Sequence, residues 1–530
     1  MKLKVSILIG YLFLFTVKPS MAIEPISEFK KNETLKKWEL FDLQFNAKGV
    51  KAPFDIKFNA HFTNPKGEKL TIPGFYNGNN TFVIRFSGNI SDQWNYITDS
   101  NIKKLHHKKG TITVQSEPFK NSHGGIVIDQ HNPQCVTYED NTPYFMTAYE
   151  FDWLFALDYN KRELVKVNQI LDKIEANGFN QIVMNAYAYD IKWKKDATIL
   201  PEHEYGKPRF SPFKGDNSNP DFSELNTDFF KHLDKIIANL NERNIVSHLM
   251  IYVWNKQVNW PKMNSIEDNR YFDYIIKRYQ AYPNIIWDVS KEALAYGRCD
   301  EPYLVERISR VRKLDAFKRL LTVHDIRFCR KNSELVDFIS TQNWITEIHT
   351  AMLKYRKDFP TKPIFNIEHG GYEKSPYEVF IGSYDDPKVC LRRNYTCAFA
   401  GAYTTHYWQA NAWSVIITDL DNLPEEQRPK LEYYKHFTDF FQKQNFNTFQ
   451  PSHVSPSWSM TNNNGEYLVF HGAENNSVRV SVPETKTKQL KLTWFNPYTG
   501  AYSETKHQKW ERWLWAYASF TGQDWILIIE

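Results

Sequence analysis

The rhythm of apolar and polar positions changes twice along the chain. Over 23–122 the period is two: residues 38–45 and 54–62 alternate, and short strands follow at 83–86 and 93–98. Asn64, Pro65 and Gly67 mark a hairpin turn between them. Short strands at regular turn spacing predict a β-sandwich. From Gly124 the texture becomes apolar runs of four to eight residues alternating with amphipathic stretches of period 3.6. The runs predict strands at 143–148, 181–185, 245–252, 284–290, 321–325, 338–342, 362–368 and 403–408. The amphipathic stretches predict helices at 161–177, 229–242, 265–279, 305–313, 345–356 and 390–400, and a helical stretch at 425–443. Beyond it, strands at 466–470, 478–482, 490–495 and 525–529, with a turn at 496–500, predict a second, smaller sandwich.

Eight strands separated by helices predict a parallel (β/α)8 TIM barrel over 123–443, flanked by β-sandwiches over 23–122 and 444–530. A chain of 530 residues is long enough for three such units. No glycine-rich nucleotide fingerprint competes with this reading. A net charge of +5 without a long basic run gives no reason to expect a nucleic-acid partner. The 16 Trp, 30 Tyr and 37 Phe supply flat faces that suit sugars as well as large cores.

Residues 1–22 read as a signal peptide: Lys2 and Lys4 are basic, 5–17 is mostly apolar, and Ser20 and Ala22 are small. That segment is too short to span a bilayer, and no other run approaches ~20 apolar residues. No cysteine follows it at a lipid-anchor position, so export to the periplasm or the exterior is expected. Cys135, Cys299, Cys329, Cys390 and Cys397 show no metal-finger spacing; Cys299 with Cys329, or Cys390 with Cys397, could pair after export.

In a parallel barrel the chemistry sits where strands end at the C-terminal face. The predicted fourth strand runs into Glu292 and the seventh into Glu368. Two carboxyl groups facing one cleft are what glycoside hydrolysis requires. Glu292 is the candidate acid/base and Glu368 the candidate nucleophile. Lys291 would depress the Glu292 pKa if it pointed into the site; strict strand alternation would send it elsewhere. Asp152, Trp153, Asn185, Trp254, Asn255, Lys291, His324, Gln342, His369, Tyr372, His406, Trp408 and Trp413 also fall near strand ends, as candidate substrate contacts and stacking surfaces. A metal-dependent reading would draw on His324, Asp325, His349, His369 and His406, but none has the spacing of a known metal motif, and no cofactor is expected.

Pro73 to Gly78, Val83 to Phe86 and Trp94 to Thr98 resemble a domain of unknown function that precedes glycosidase barrels in bacterial polysaccharide-degrading systems. The barrel resembles clan A retaining glycoside hydrolases of the apiosidase-like and cellulase-like type. Trp494 to Gly500 and Asp524 to Ile528 are similar to a domain labelled collagen-binding in such proteins. The resemblance implies an exported, retaining glycosidase acting on a polysaccharide or oligosaccharide. It departs at one place: the clan's acid/base follows an Asn, where this chain has Lys291. A glycan-binding protein on a degenerate barrel is the alternative.

Overall fold

The computed structural model describes residues 32–192, 194–380, 382–483, 489–518 and 522–530. The expected signal peptide and Trp193 lie outside the described residues.

Eight parallel strands form the centre of the molecule: β1 (Thr147–Glu150), β2 (Gln181–Asn185), β3 (Val246–Val253), β4 (Ile285–Lys291), β5 (Leu321–His324), β6 (Ile339–Gln342), β7 (Ile364–Glu368) and β8 (Tyr403–Trp408). Their hydrogen-bonded order runs β5-β4-β3-β2-β1-β8-β7-β6, a nearly closed barrel. The seam between β5 and β6 is bridged by Asp337 N–H to the Leu321 carbonyl (2.8 Å), the Thr322 hydroxyl to the Phe338 carbonyl (2.9 Å) and His324 Nδ1 with Ser340 Oγ (2.9 Å). Helices α1 (Val165–Ala176), α2 (Thr227–Glu242), α3 (Ile266–Tyr279), α4 (Glu301–Leu314), α5 (Ile326–Lys331), α6 (Ile348–Asp358), α7 (Pro387–Phe399) and α8 (Glu432–Lys443) complete the alternation.

The capping chemistry is local. Asn226, Ser265, Asp300, Asp325 and Asp386 each accept a backbone N–H of the first turn of α2, α3, α4, α5 and α7. The six-residue α5 has no counterpart among the expected helices, because it is too short to show a 3.6-residue rhythm. The start of the helical stretch expected at 425 is also corrected: two 3-10 turns, Leu420–Asn422 and Glu425–Gln427, precede α8.

N-terminal to the barrel, a five-stranded sheet and a three-stranded sheet enclose their own core around Phe62, Phe86, Trp94 and Ile112. This sandwich is locked to the barrel through Arg85, which donates to Asp42 (2.8 Å) and to the Arg278 carbonyl (2.9 Å). Arg278 in turn binds Asp234 (2.6 Å) and Asn77 (2.9 Å). Buried charges of this kind fix an orientation more than they add stability. At the other end, a six-stranded sheet and the pair Val478–Ser481 with Trp513–Ala516 form the C-terminal sandwich. It docks through Phe440 of α8 stacked on Phe495 and Arg392 of α7 bonded to Asp524 (2.9 Å). All five cysteines are free and buried, so neither Cys299–Cys329 nor Cys390–Cys397 is joined; the Cys299 thiol donates to the Ala293 carbonyl instead.

Candidate active site

The C-terminal ends of the strands bring a dense set of charges together. Glu368 ends β7 and is 3% exposed. Its Oε1 lies 2.7 Å from Lys291 Nζ and 3.4 Å from His324 Nε2, and its Oε2 accepts from Gln342 Nε2 at 2.6 Å. Burial pushes the carboxyl upward, but the Lys291 ammonium and His324 more than reverse this, to about 2. Glu368 is therefore an anion across any ordinary pH.

Glu292 follows β4 immediately. Its backbone has φ of 50°, the left-handed region that costs a residue with a Cβ energy and clusters at functional sites. The turn is held by Glu292 N–H bonding the His324 carbonyl at 3.0 Å. Asn255 Nδ2 donates to Glu292 Oε2 at 2.5 Å. Burial, and then the Glu368 charge, raise the Glu292 pKa against the pull of Lys291. Two carboxyl groups at one barrel mouth are thus pushed apart, one ionised and one favouring its proton, as acid/base assignment requires.

Lys291 is the hinge of the arrangement. Besides Glu368 it donates to Glu150 Oε1 at 2.9 Å and stands 3.9 Å from Asp152. It points inward, against the expectation from alternation, because the β4–β5 register slips between Asp288 and Lys291. A bulge of one residue reverses the side chain's direction, a device that re-aims residues beside active sites. A second slip, between Thr341 and Gln342, brings Gln342 opposite Glu368. Next to this group, Lys256 Nζ lies 3.0 Å from Asp152 Oδ2, both fully buried, with Trp413 and Trp153 around the ammonium at 4.9 and 5.5 Å. Burial alone would raise the Asp152 pKa, but Lys256 and Lys291 hold it below the usual carboxylate value. Glu150 is driven the other way: burial dominates, and Lys291 only partly offsets it. Burial thus favours a proton on Glu150 and on Glu292, while the Asp152 and Glu368 carboxylates face the Lys256 and Lys291 ammoniums.

Several buried polar atoms here have no hydrogen-bond partner: both side-chain polar atoms of Asn185, Trp153 Nε1 and Asn255 Oδ1. Unsatisfied groups are rare in folded interiors, and their concentration at one place suits a polyhydroxyl ligand that donates and accepts.

The profile described as "Apiosidase-like, catalytic domain" matches residues 130–446, more than half of the chain. The chain belongs to the apiosidase-like family. By that membership it is a glycoside hydrolase, and a carbohydrate is its substrate. Flanking the apiosidase-like barrel, 34–101 match a domain of unknown function (DUF5060), and 445–530 match a "Putative collagen-binding domain of a collagenase". Among solved structures, a "putative glycoside hydrolase" from Bacteroides vulgatus superposes with a TM-score of 0.76 at 21% identity, covering 94% of this chain and 99% of its own. A family 5 glycoside hydrolase from the same organism gives 0.60 at 15% identity, covering 77% and 93%. At these identities both bear on the fold alone. No curated protein matches the chain.

Among the expected contacts, Asp152, Trp153, Asn185, Trp254, Asn255, Lys291, His324, Gln342 and Trp413 sit on or beside the strand ends of the apiosidase-like barrel mouth. Tyr372 is close enough to Glu368 for its hydroxyl to feel that charge, and packs against Trp344 and Tyr407. Three others turn away. His369 Nε2 is bonded to the Thr405 carbonyl at 2.8 Å, with burial and Arg393 lowering its pKa to about 3. His406 lies against Tyr434 of α8, and the Trp408 indole donates to the Lys374 carbonyl. His349, from the metal alternative, stacks on Trp458, and Asp325 is occupied as the α5 cap. Glu150 and Lys256 were missed. Glu150 ends β1 with the same strand-to-glutamate signature as Glu292 and Glu368; Lys256, adjoining Asn255, carries no sequence signal.

Proposed function

We propose that this apiosidase-like protein is an exported, retaining glycosidase in which Glu368 is the nucleophile and Glu292 the acid/base. The observation that carries the reading is the opposed charge state of two strand-end glutamates in one buried group: Lys291 fixes Glu368 as an anion, while burial and Glu368 favour a proton on Glu292. In the first step a Glu368 oxygen bonds to the anomeric carbon as the glycosidic C–O bond breaks. The departing oxygen keeps that electron pair and takes the Glu292 proton. In the second, water attacks the anomeric carbon and gives a proton to Glu292, and the ester bond to Glu368 breaks with its electron pair returning to the carboxylate. Export rests on the basic, apolar and small-residue pattern of 1–22.

The test is sugar release from a broad glycan panel by the mature protein and by Glu368→Gln. Loss on the order of 10⁴-fold in a folded variant is expected for a covalent nucleophile. Proton NMR of the first product anomer should show retention; an inverted anomer would remove the covalent step. Activity should fall as pH rises through the raised Glu292 pKa, because the acid must enter the reaction protonated. Equal release by both proteins would take Glu368 out of the mechanism, and silence from both with glycan binding intact would favour a non-catalytic barrel.

A further inference from the structure

The strand Trp513–Ala516 contradicts the usual economy of a surface. Leu514 and Ala516 point into the C-terminal core, as alternation requires. The opposite face carries Trp513, Trp515 and, one step beyond the strand, Tyr517, which are 47%, 52% and 66% exposed. Among the described residues, the other large exposed apolar side chains stand alone in the sequence or as adjacent residues such as Trp344 and Ile345. Here three aromatics fall in register on one face. Residues two apart on a strand are separated by about 6.7 Å, so the row extends over about 13 Å. Across the ribbon, Arg479 pairs with Trp515 and Ser481 with Trp513. The Arg479 guanidinium lies 5.0 Å from the Trp513 ring centre and 6.0 Å from that of Trp515, which ties both rings down before any ligand arrives.

We propose that this row is a glycan-binding platform, separate from the barrel mouth, that holds a polysaccharide chain along Trp513, Trp515 and Tyr517. The residue types argue for the ligand. Trp and Tyr offer broad flat faces to sugar C–H surfaces with little entropy to lose. Arg479 and Ser481 supply donors for hydroxyl or ring oxygens at the margin. A row about 13 Å long suits a run of sugar units better than a single one. On the paired strand the outward positions beside the rings are Arg479 and Ser481, so the row has a polar margin that can hydrogen-bond hydroxyl groups. The inference rests on the family's action on glycans and not on the roles of Glu292 and Glu368.

The experiment uses the full mature chain carrying Glu368→Gln, run in native gels containing soluble arabinoxylan, galactomannan or polygalacturonate, with and without Trp513→Ala/Trp515→Ala. Retardation in at least one gel, weakened about tenfold for each tryptophan removed, is expected. Trp515→Gln alone, a milder change at a half-exposed position, gives the same reading if the double variant does not fold. No retardation in any gel overturns the proposal, as does equal retardation with and without the tryptophans. Size-exclusion chromatography supplies the remaining outcome: a dimer dissolved by the double variant, with glycan retardation unchanged, would make the row a contact between copies and overturn the proposal too. Because all arms carry Glu368→Gln, none depends on turnover.

Discussion

Two buried glutamates five residues apart, one ending a barrel strand and one in the short strand Tyr372–Glu373 that follows, are pushed to opposite sides of the ordinary carboxylate pKa. Glu368 ends β7 and Glu373 lies just beyond, 3% and 4% exposed. Burial pushes both carboxyls upward. At Glu368 it is overcome by Lys291 at 2.7 Å and by His324, leaving the group at about 2. At Glu373 the opposition is weaker: a backbone N–H from Lys430 at 2.8 Å, against the nearby charge of Glu432, so the carboxyl stays up at about 8. Its other oxygen has no hydrogen-bond partner, and His406, at 3.6 Å, is kept neutral by its own burial. Depth is the same; the difference is an ammonium in direct contact, since Lys430 gives Glu373 its backbone N–H and only a weaker charge effect. A buried carboxylate becomes a usable nucleophile only where the fold delivers a cation to it, and here that depends on one slipped register in β4.

The sharpest way to break the contrast is Lys291→Met, which should make Glu368 resemble Glu373. We expect kcat/KM to fall on the order of 10³-fold, since a buried anion loses its compensating charge. The pH profile carries the diagnosis. With a pKa of about 2, Glu368 sets no acid limb in the working range; in the variant its pKa rises and activity is lost as pH falls through the new value. Stability moves in the same sense. The depressed pKa stabilises the fold above the ordinary carboxylate value of 4.5, and that contribution is lost as pH falls toward 2; the variant lacks it. An unchanged acid limb would mean Lys291 does not set the charge of Glu368.

A smaller effect is expected from Glu150→Gln, which asks how many anions Lys291 serves. If Glu150 is protonated, as its burial favours, glutamine imitates it, Lys291 keeps an acceptor, and kcat falls less than about tenfold. Steady-state kinetics beside Lys291→Met decide the matter. Losses of equal size would show Glu150 to be ionised, a second anion served by Lys291.

The barrel was readable because each strand and most helices are long enough to show their period; β2, β5 and β8 follow apolar runs bounded by turn residues. Glu292 and Glu368 were readable as glutamates ending such runs, and the same rule applied to Tyr149 and Glu150 would have added the partner of Lys291. What the pattern could not carry was direction. Alternation assigns Lys291 to the wrong side, because a bulge leaves no mark in the sequence of one strand; it is a relation between β4 and β5. His369 and His406 failed for a related reason: nearness to a strand end does not say whether a ring faces the mouth or the helices. Lys256 is placed by the loop after β3, where no period operates.

The mildest change tests the other half of the comparison. With a folded pKa of about 8 against an ordinary 4.5, Glu373 keeps its proton through a range in which the unfolded chain releases it. The folded state then binds more protons, so stability falls as pH rises from 4.5 toward 8. Glu373→Gln preserves the shape and the acceptor for Lys430 N–H but cannot ionise. Its Tm should equal that of the wild type near pH 4.5 and exceed it at pH 8 by on the order of 2 °C, with glycan cleavage unaltered. Burial holds the His406 pKa well below its ordinary value, so that ring does not mimic the effect. A Tm gap that does not grow with pH would mean Glu373 is ionised in the fold, and that burial without a cation is not enough to hold a proton in this part of the barrel.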